Sequence, residues 1–166
     1  MHPQRGERRE LVPSNRAVAT YDESPEMSAQ AAADKFVAAW QEEEPQFAII
    51  NFANPDMVGH TGVLAAAVEA IETVDRCLAE IVAVVEASGG ELVITADHGN
   101  AEQMLNEDGS VNTAHSLNPV PLIVTREGLE LRDGGVLADV APTVLELLGI
   151  EPVSYTHLTL PTKRIV

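Results

Sequence analysis

An α/β fold, with helices on both faces of a mainly parallel sheet, is what three features of this sequence predict. Two short apolar runs, Phe47 to Ala53 and Glu91 to Thr95, have the length of buried strands. A long helical pattern separates them. Each run ends in a loop that carries Asp, His and Gly, the place where ligands collect in open α/β sheets.

The elements follow in chain order. Residues 1 to 16 are polar and without periodicity, and read as a linker or remnant; Val18 to Tyr21 has the makings of a short strand before the turn-rich Asp22 to Pro25. Ser28 is placed to cap a helix over Ala29 to Glu43, in which Ala32, Phe36, Ala39 and Trp40 share a face and Pro45 is the stop. Phe47 to Ala53 is nearly unbroken in its apolar character, as a central parallel strand is. From Gly62 to about Ser88, Leu64, Val68, Ile71, Val74, Leu78, Ile81 and Val85 recur at steps of three and four, the signature of an amphipathic helix closed by Ser88-Gly89-Gly90. Strand, helix and strand together describe a right-handed βαβ unit. After a polar loop to about Pro119, Pro121 to Thr125 is a third strand candidate. Asp139 is placed to cap a last helix through Leu148, with Pro142 in its first turn and Gly149 as the stop.

Composition narrows the function. The chain has 166 residues, one Cys and a formal net charge of −16. Residues 17 to 150 hold 4 basic and 23 acidic side chains, a net of −19, a field that repels nucleic acid and anionic lipid. It also repels phosphorylated metabolites unless cations offset it. No apolar run approaches the roughly 18 residues of a membrane span and nothing resembles a secretory signal, so the expectation is a cytoplasmic protein without membrane or nucleic acid partners. Cys77 excludes an intrachain disulfide and reads as a small core hydrophobe.

The chemistry gathers in the loops. Asp56 and His60 follow the first strand, Asp97 and His98 the second, and His115 lies in the next loop. Carboxylate and imidazole without thiolate suit Mn²⁺, Zn²⁺ or Fe²⁺ better than Ca²⁺. Five ligands exceed what one catalytic ion takes from protein, which favours two ions. Each residue also has a plainer use, since Asp56 could cap the next helix and Asp97 anchor its loop. Glu42-Glu43-Glu44 reads as a solvated helix end, and Met57 and Met104 as packing.

Three segments, Asn51 to Gly62, Thr95 to Glu102, and Ala114-His115-Ser116 with Asn118 to Pro121, closely resemble the cofactor-independent (2,3-bisphosphoglycerate-independent) phosphoglycerate mutases of the alkaline phosphatase superfamily. Leu11 to Ser14, Val18 to Asp22 and Pro25 to Ser28 match the same family, so the resemblance covers about residues 6 to 152. It implies an alkaline-phosphatase-like domain, of which residues 17 to 152 are the C-terminal part. It also implies an isomerase of glycolysis and gluconeogenesis that interconverts 3-phosphoglycerate and 2-phosphoglycerate through a phosphoserine, acting as a monomer on a small-molecule substrate. Two Mn²⁺, or other divalent ions, would be bound: Asp56, His60 and His115 on one, Asp97 and His98 on part of the second site.

The family's nucleophilic Ser, its N-terminal metal-binding Asp and its substrate-gripping Arg residues match nothing here. Ser14, Ser28, Ser88, Ser110 and Ser116 do not occupy the nucleophile's position, so no residue is assigned a catalytic role and the isolated chain is expected to be inactive. Residues 153 to 166 depart from the family and read as a non-native tail, which removes His157 from the ligand candidates. The alternatives are another superfamily member, a phosphopentomutase or a metal-dependent phosphatase, or an inert metal-binding fragment.

Overall fold

The computed structural model describes residues 6 to 151. They fall into two compact units, residues 6 to 88 with 98 to 119, and residues 89 to 97 with 120 to 151. The tail and His157 lie outside the described residues.

Three α-helices build the first unit: α1 (Ala29–Glu43), α2 (Asn54–Gly59) and α3 (Leu64–Ala87). The α1 span matches its sequence reading, and Glu44, left-handed at φ 44°, turns the chain out of the helix just before Pro45. Ser28 precedes α1 but does not cap it: its hydroxyl donates to the Pro13 carbonyl instead, tying the preceding segment down. The centre of the packed face is Ala29 and Ala33, with Phe36 and Trp40 half-buried and stacked on each other beside it. Small residues there let α1 lie close against α3.

Along α3 the buried stripe is Ala66, Ala67, Ala70, Thr73, Cys77, Ile81 and Val85. The sequence reading holds for Ile81 and Val85 and fails at the other end, where Leu64 is 68% exposed and Val68 and Ile71 are exposed too. Two amphipathic stripes compete on that half of the helix. The alanine stripe wins because it admits α2 and the chain around Tyr21 to Met27 at short range, where Val58 and Met104 complete the core. Met104 therefore packs, as its sequence reading had it, while Met57 is exposed.

Helix α2 was not legible as a helix. It starts at Asn54-Pro55, with the proline in the first turn, where its missing N–H costs nothing. Asn54, 2% exposed, donates to the carbonyls of Pro25 and Glu26 at 2.8 and 2.9 Å, so the same residue that opens α2 fastens it to the N-terminal segment. Gly62, at φ 74°, then turns the chain from α2 towards α3.

The sheet departs from expectation. Among the described residues it has two strands, β1 (Val93–Thr95) and β2 (Leu122–Val124), paired antiparallel with Ile94 opposite Ile123. Phe47 to Ala53 forms no strand, with Phe47 and Ile49 exposed, so the parallel βαβ unit is not formed. A strand is defined by the neighbour that takes its N–H and C=O groups, and apolar character alone does not supply one. Between β1 and β2 the chain doubles back, which brings them together antiparallel without a crossover helix. Thr125 backs this pair through its N–H to the Leu92 carbonyl and its hydroxyl oxygen to the Leu92 N–H.

Helix α4 (Val140–Leu147) completes the second unit, with Pro142 buried in its first turn and Gly149 at φ 69° beyond its end. Asp139 precedes it, but its carboxylate accepts from Arg132 and from the Val136 N–H, both at 2.8 Å, and not from the N–H groups of α4.

Candidate metal centre

One turn of helix sets the first pair of candidate ligands. Asp56 lies in the first turn of α2 and His60 directly follows its end, a spacing of four that puts both side chains on one face. His60 Nε2 is 3.1 Å from Asp56 Oδ1. His115 reaches the same place from a distant loop, with Nε2 3.2 Å from Asp56 Oδ1 and 3.3 Å from His60 Nε2. These three atoms form a nearly equilateral triangle.

His98 joins the cluster more loosely, 4.0 Å from Asp56 Oδ1, and its ring stacks on His115 with centroids 3.7 Å apart and planes 13° from parallel. Ligand atoms of Asp56, His98 and His115 all lie within 4.8 Å of one another. Four of the five sequence candidates thus converge within the first unit. Asp97 belongs to the second unit, where it follows β1.

The donor set and its spacing test whether a cation fits. His60 Nδ1 is 2.7 Å from the Thr113 carbonyl and 3.2 Å from Asn100 Nδ2, contacts that hold the ring with its Nε2 towards Asp56. Asp56 Oδ1 is buried and accepts no hydrogen bond. A divalent ion at the centre of the triangle would be met by all three atoms at once. Donors held about 2.0 to 2.2 Å from one ion lie roughly 3 to 3.4 Å apart, the spacing found here. The donor chemistry and the spacing both fit such an ion. Half of the His115 side chain and about a third of Asp56 and His60 face solvent, which leaves an approach for a ligand.

The sequence reading missed the groups that hold these ligands. Asn100, buried, borders His60 Nδ1 at 3.2 Å, and a Cβ on Gly59 would collide with its side chain. Glu102 accepts from the Asn100 N–H at 2.7 Å, from Asn118 Nδ2 at 3.0 Å and from the Ser116 hydroxyl. The Ser116 hydroxyl, foremost among these donors, holds the Glu102 carboxyl below the usual carboxylate range. All four residues sit inside the motifs already noted; the signal was a carboxylate and polar neighbours in a ligand loop with no assigned use.

Comparison with known proteins agrees with the geometry. The model of the metalloenzyme superfamily matches residues 2–152. The chain is 56% identical over 147 residues to the 2,3-bisphosphoglycerate-independent phosphoglycerate mutase of Nitratidesulfovibrio vulgaris, covering 87% of this chain and 29% of that protein. It is 54% identical over 157 residues to the enzyme of that name from Pseudomonas putida, covering 93% of this chain and 30% of the relative. Among solved structures, a Leishmania mexicana phosphoglycerate mutase studied at low cobalt concentration superposes with a TM-score of 0.81 at 31% identity, over 93% of this chain and 31% of the other. The chain therefore spans about 30% of the length of the relatives it matches. With a group of side chains that could hold a metal ion and a family model matched over nearly its whole length, this chain belongs to the metalloenzyme superfamily.

Proposed function

We propose that this chain carries part of the metal centre of a 2,3-bisphosphoglycerate-independent phosphoglycerate mutase, an isomerase that interconverts 3-phosphoglycerate and 2-phosphoglycerate by phosphoryl transfer. The observation that carries this is the triangle of Asp56 Oδ1, His60 Nε2 and His115 Nε2. Its support is the identity of 52 to 56% to proteins of that name.

Asp56, His60 and His115 would hold one divalent ion, with Mn²⁺ as the ion of the proposal. Asp56 brings the negative charge, and the His60 ring is held at its Nδ1 by the Thr113 carbonyl. A bound ion supplies charge neutralisation to a transferring phosphoryl group and lowers the pKa of a nucleophilic hydroxyl. That answers the repulsion a chain of net charge −16 would otherwise offer a phosphorylated substrate. Assignment of Asp97 with His98 to a second Mn²⁺ rests on the resemblance alone. The alkaline-phosphatase-like placement of residues 17 to 152, a monomeric state and a cytoplasmic home belong to the same proposal.

The test is a chimera in which residues 6 to 151 replace the matching part of the Nitratidesulfovibrio vulgaris mutase. With Mn²⁺ it should convert 3-phosphoglycerate to 2-phosphoglycerate, and Asp56→Ala or His115→Ala should lower the rate at least about 100-fold, while the isolated chain shows no turnover. A folded, metal-loaded chimera that releases inorganic phosphate without isomerisation would favour a phosphatase and contradict the proposal.

A further inference from the structure

His98 and His115 are held by loops, and no helix fixes the distance between them. What joins the loops is local. Gly99 and Ser116 form an isolated antiparallel bridge through one hydrogen bond, Ser116 N–H to the Gly99 carbonyl at 2.8 Å. Beside that bridge lies the Glu102 carboxylate. It gathers a backbone N–H two residues beyond His98, a hydroxyl one residue beyond His115 and an amide three residues beyond His115. The packing is close enough that a Cβ on Gly99 would collide with both Ser116 Oγ and Glu102 Oε1. The two histidine rings then stack in parallel.

We propose that Glu102 is a positioning residue: its carboxylate latches the Asn100 loop to the Ser116–Asn118 loop and so sets the separation of His98 and His115, without itself binding the ion. Three donors meet the carboxylate, one from each side of the bridge and one from further along the second loop. An ionised carboxylate has only acceptors to offer and can serve all three. A glutamine of the same shape cannot, because its NH₂ end must face at least one donor. The latch rests on the metal reading above, since its purpose is to hold metal ligands.

The experiment measures Mn²⁺ affinity by calorimetry and the visible spectrum of the Co²⁺-loaded chain for wild type, Glu102→Gln, Ser116→Ala and His115→Ala. Far-ultraviolet circular dichroism of the metal-free proteins checks the fold. Glu102→Gln should bind Mn²⁺ roughly 10- to 100-fold more weakly and shift the Co²⁺ bands at saturation, as disturbing the support of a ligand does. Ser116→Ala should move both readouts the same way by a smaller factor, and it tests the latch even if Glu102→Gln fails to fold. His115→Ala should lose tight binding. If His115→Ala binds like wild type, the metal reading itself falls. If His115→Ala loses the ion while Glu102→Gln, or Ser116→Ala in its place, keeps wild-type affinity and wild-type Co²⁺ bands, the metal reading stands and the latch is overturned.

Discussion

A single residue, Asn54, shows how the candidate centre is fastened to the rest of its unit. Its buried amide donates to two carbonyls at the end of the N-terminal segment. Asn54→Ala strands both acceptors and should cost about 1 to 3 kcal/mol in urea unfolding, more than an exposed Asn→Ala change. Glu102 gives a prediction in pH. Its carboxyl is held below the ordinary 4.5, so the stability its bonds provide is complete above that value and is lost as pH falls through the lower folded value. The melting difference between wild type and Glu102→Gln, both metal-free, should therefore hold steady from pH 7 to about 5 and vanish below; a difference that grows on acidification would contradict this. At this scale the sequence was informative about donors and silent about their supports. Asp56, His60, His98 and His115, singled out by residue type and place, come together in the structure. The Thr113 carbonyl that orients His60 is a backbone group, which no side-chain pattern announces.

At the scale of elements, periodicity revealed where helices run better than which face they bury. The α1 span was read residue for residue, because strong helix formers end at Glu43 before a proline. In α3 the large aliphatic stripe and the alanine stripe both satisfied a helical period, and the close approach of α2 and of the chain around Tyr21 to Met27 decides between them. Ile81, 1% exposed, lies on the buried stripe, so Ile81→Ala should cost about 2 to 5 kcal/mol. Leu64→Gln, on the exposed stripe, should stay within about 0.5 kcal/mol. Equal losses at the two sites would show that the faces are wrongly assigned. Cys77 lies on the same buried stripe with its thiol pushed up by burial, and should resist a thiol reagent at pH 8 until the chain unfolds. The strand reading of residues 47 to 53 failed for a different reason: a strand is a pairing, and its partner is not written in its own residues.

For the whole molecule the charge of −16 sets the problem, and the proposed metal centre is what would answer it. A chain of net −16 has every electrostatic reason to take up divalent cations, so metal binding alone, without a location, would say little. Exposed carboxylates such as Asp108 or the Glu42–Glu43 pair, which already faces Arg8, could bind ions weakly anywhere on this surface. The central claim is narrower: one ion sits where Asp56, His60 and His115 meet. Anomalous diffraction from crystals of the Mn²⁺-loaded chain, recorded at the manganese absorption edge, tests it most directly. A peak is expected about 2.0 to 2.2 Å from Asp56 Oδ1, His60 Nε2 and His115 Nε2. Manganese peaks confined to surface carboxylates, with Asp56 Oδ1 still facing bare imidazole nitrogens, would contradict it.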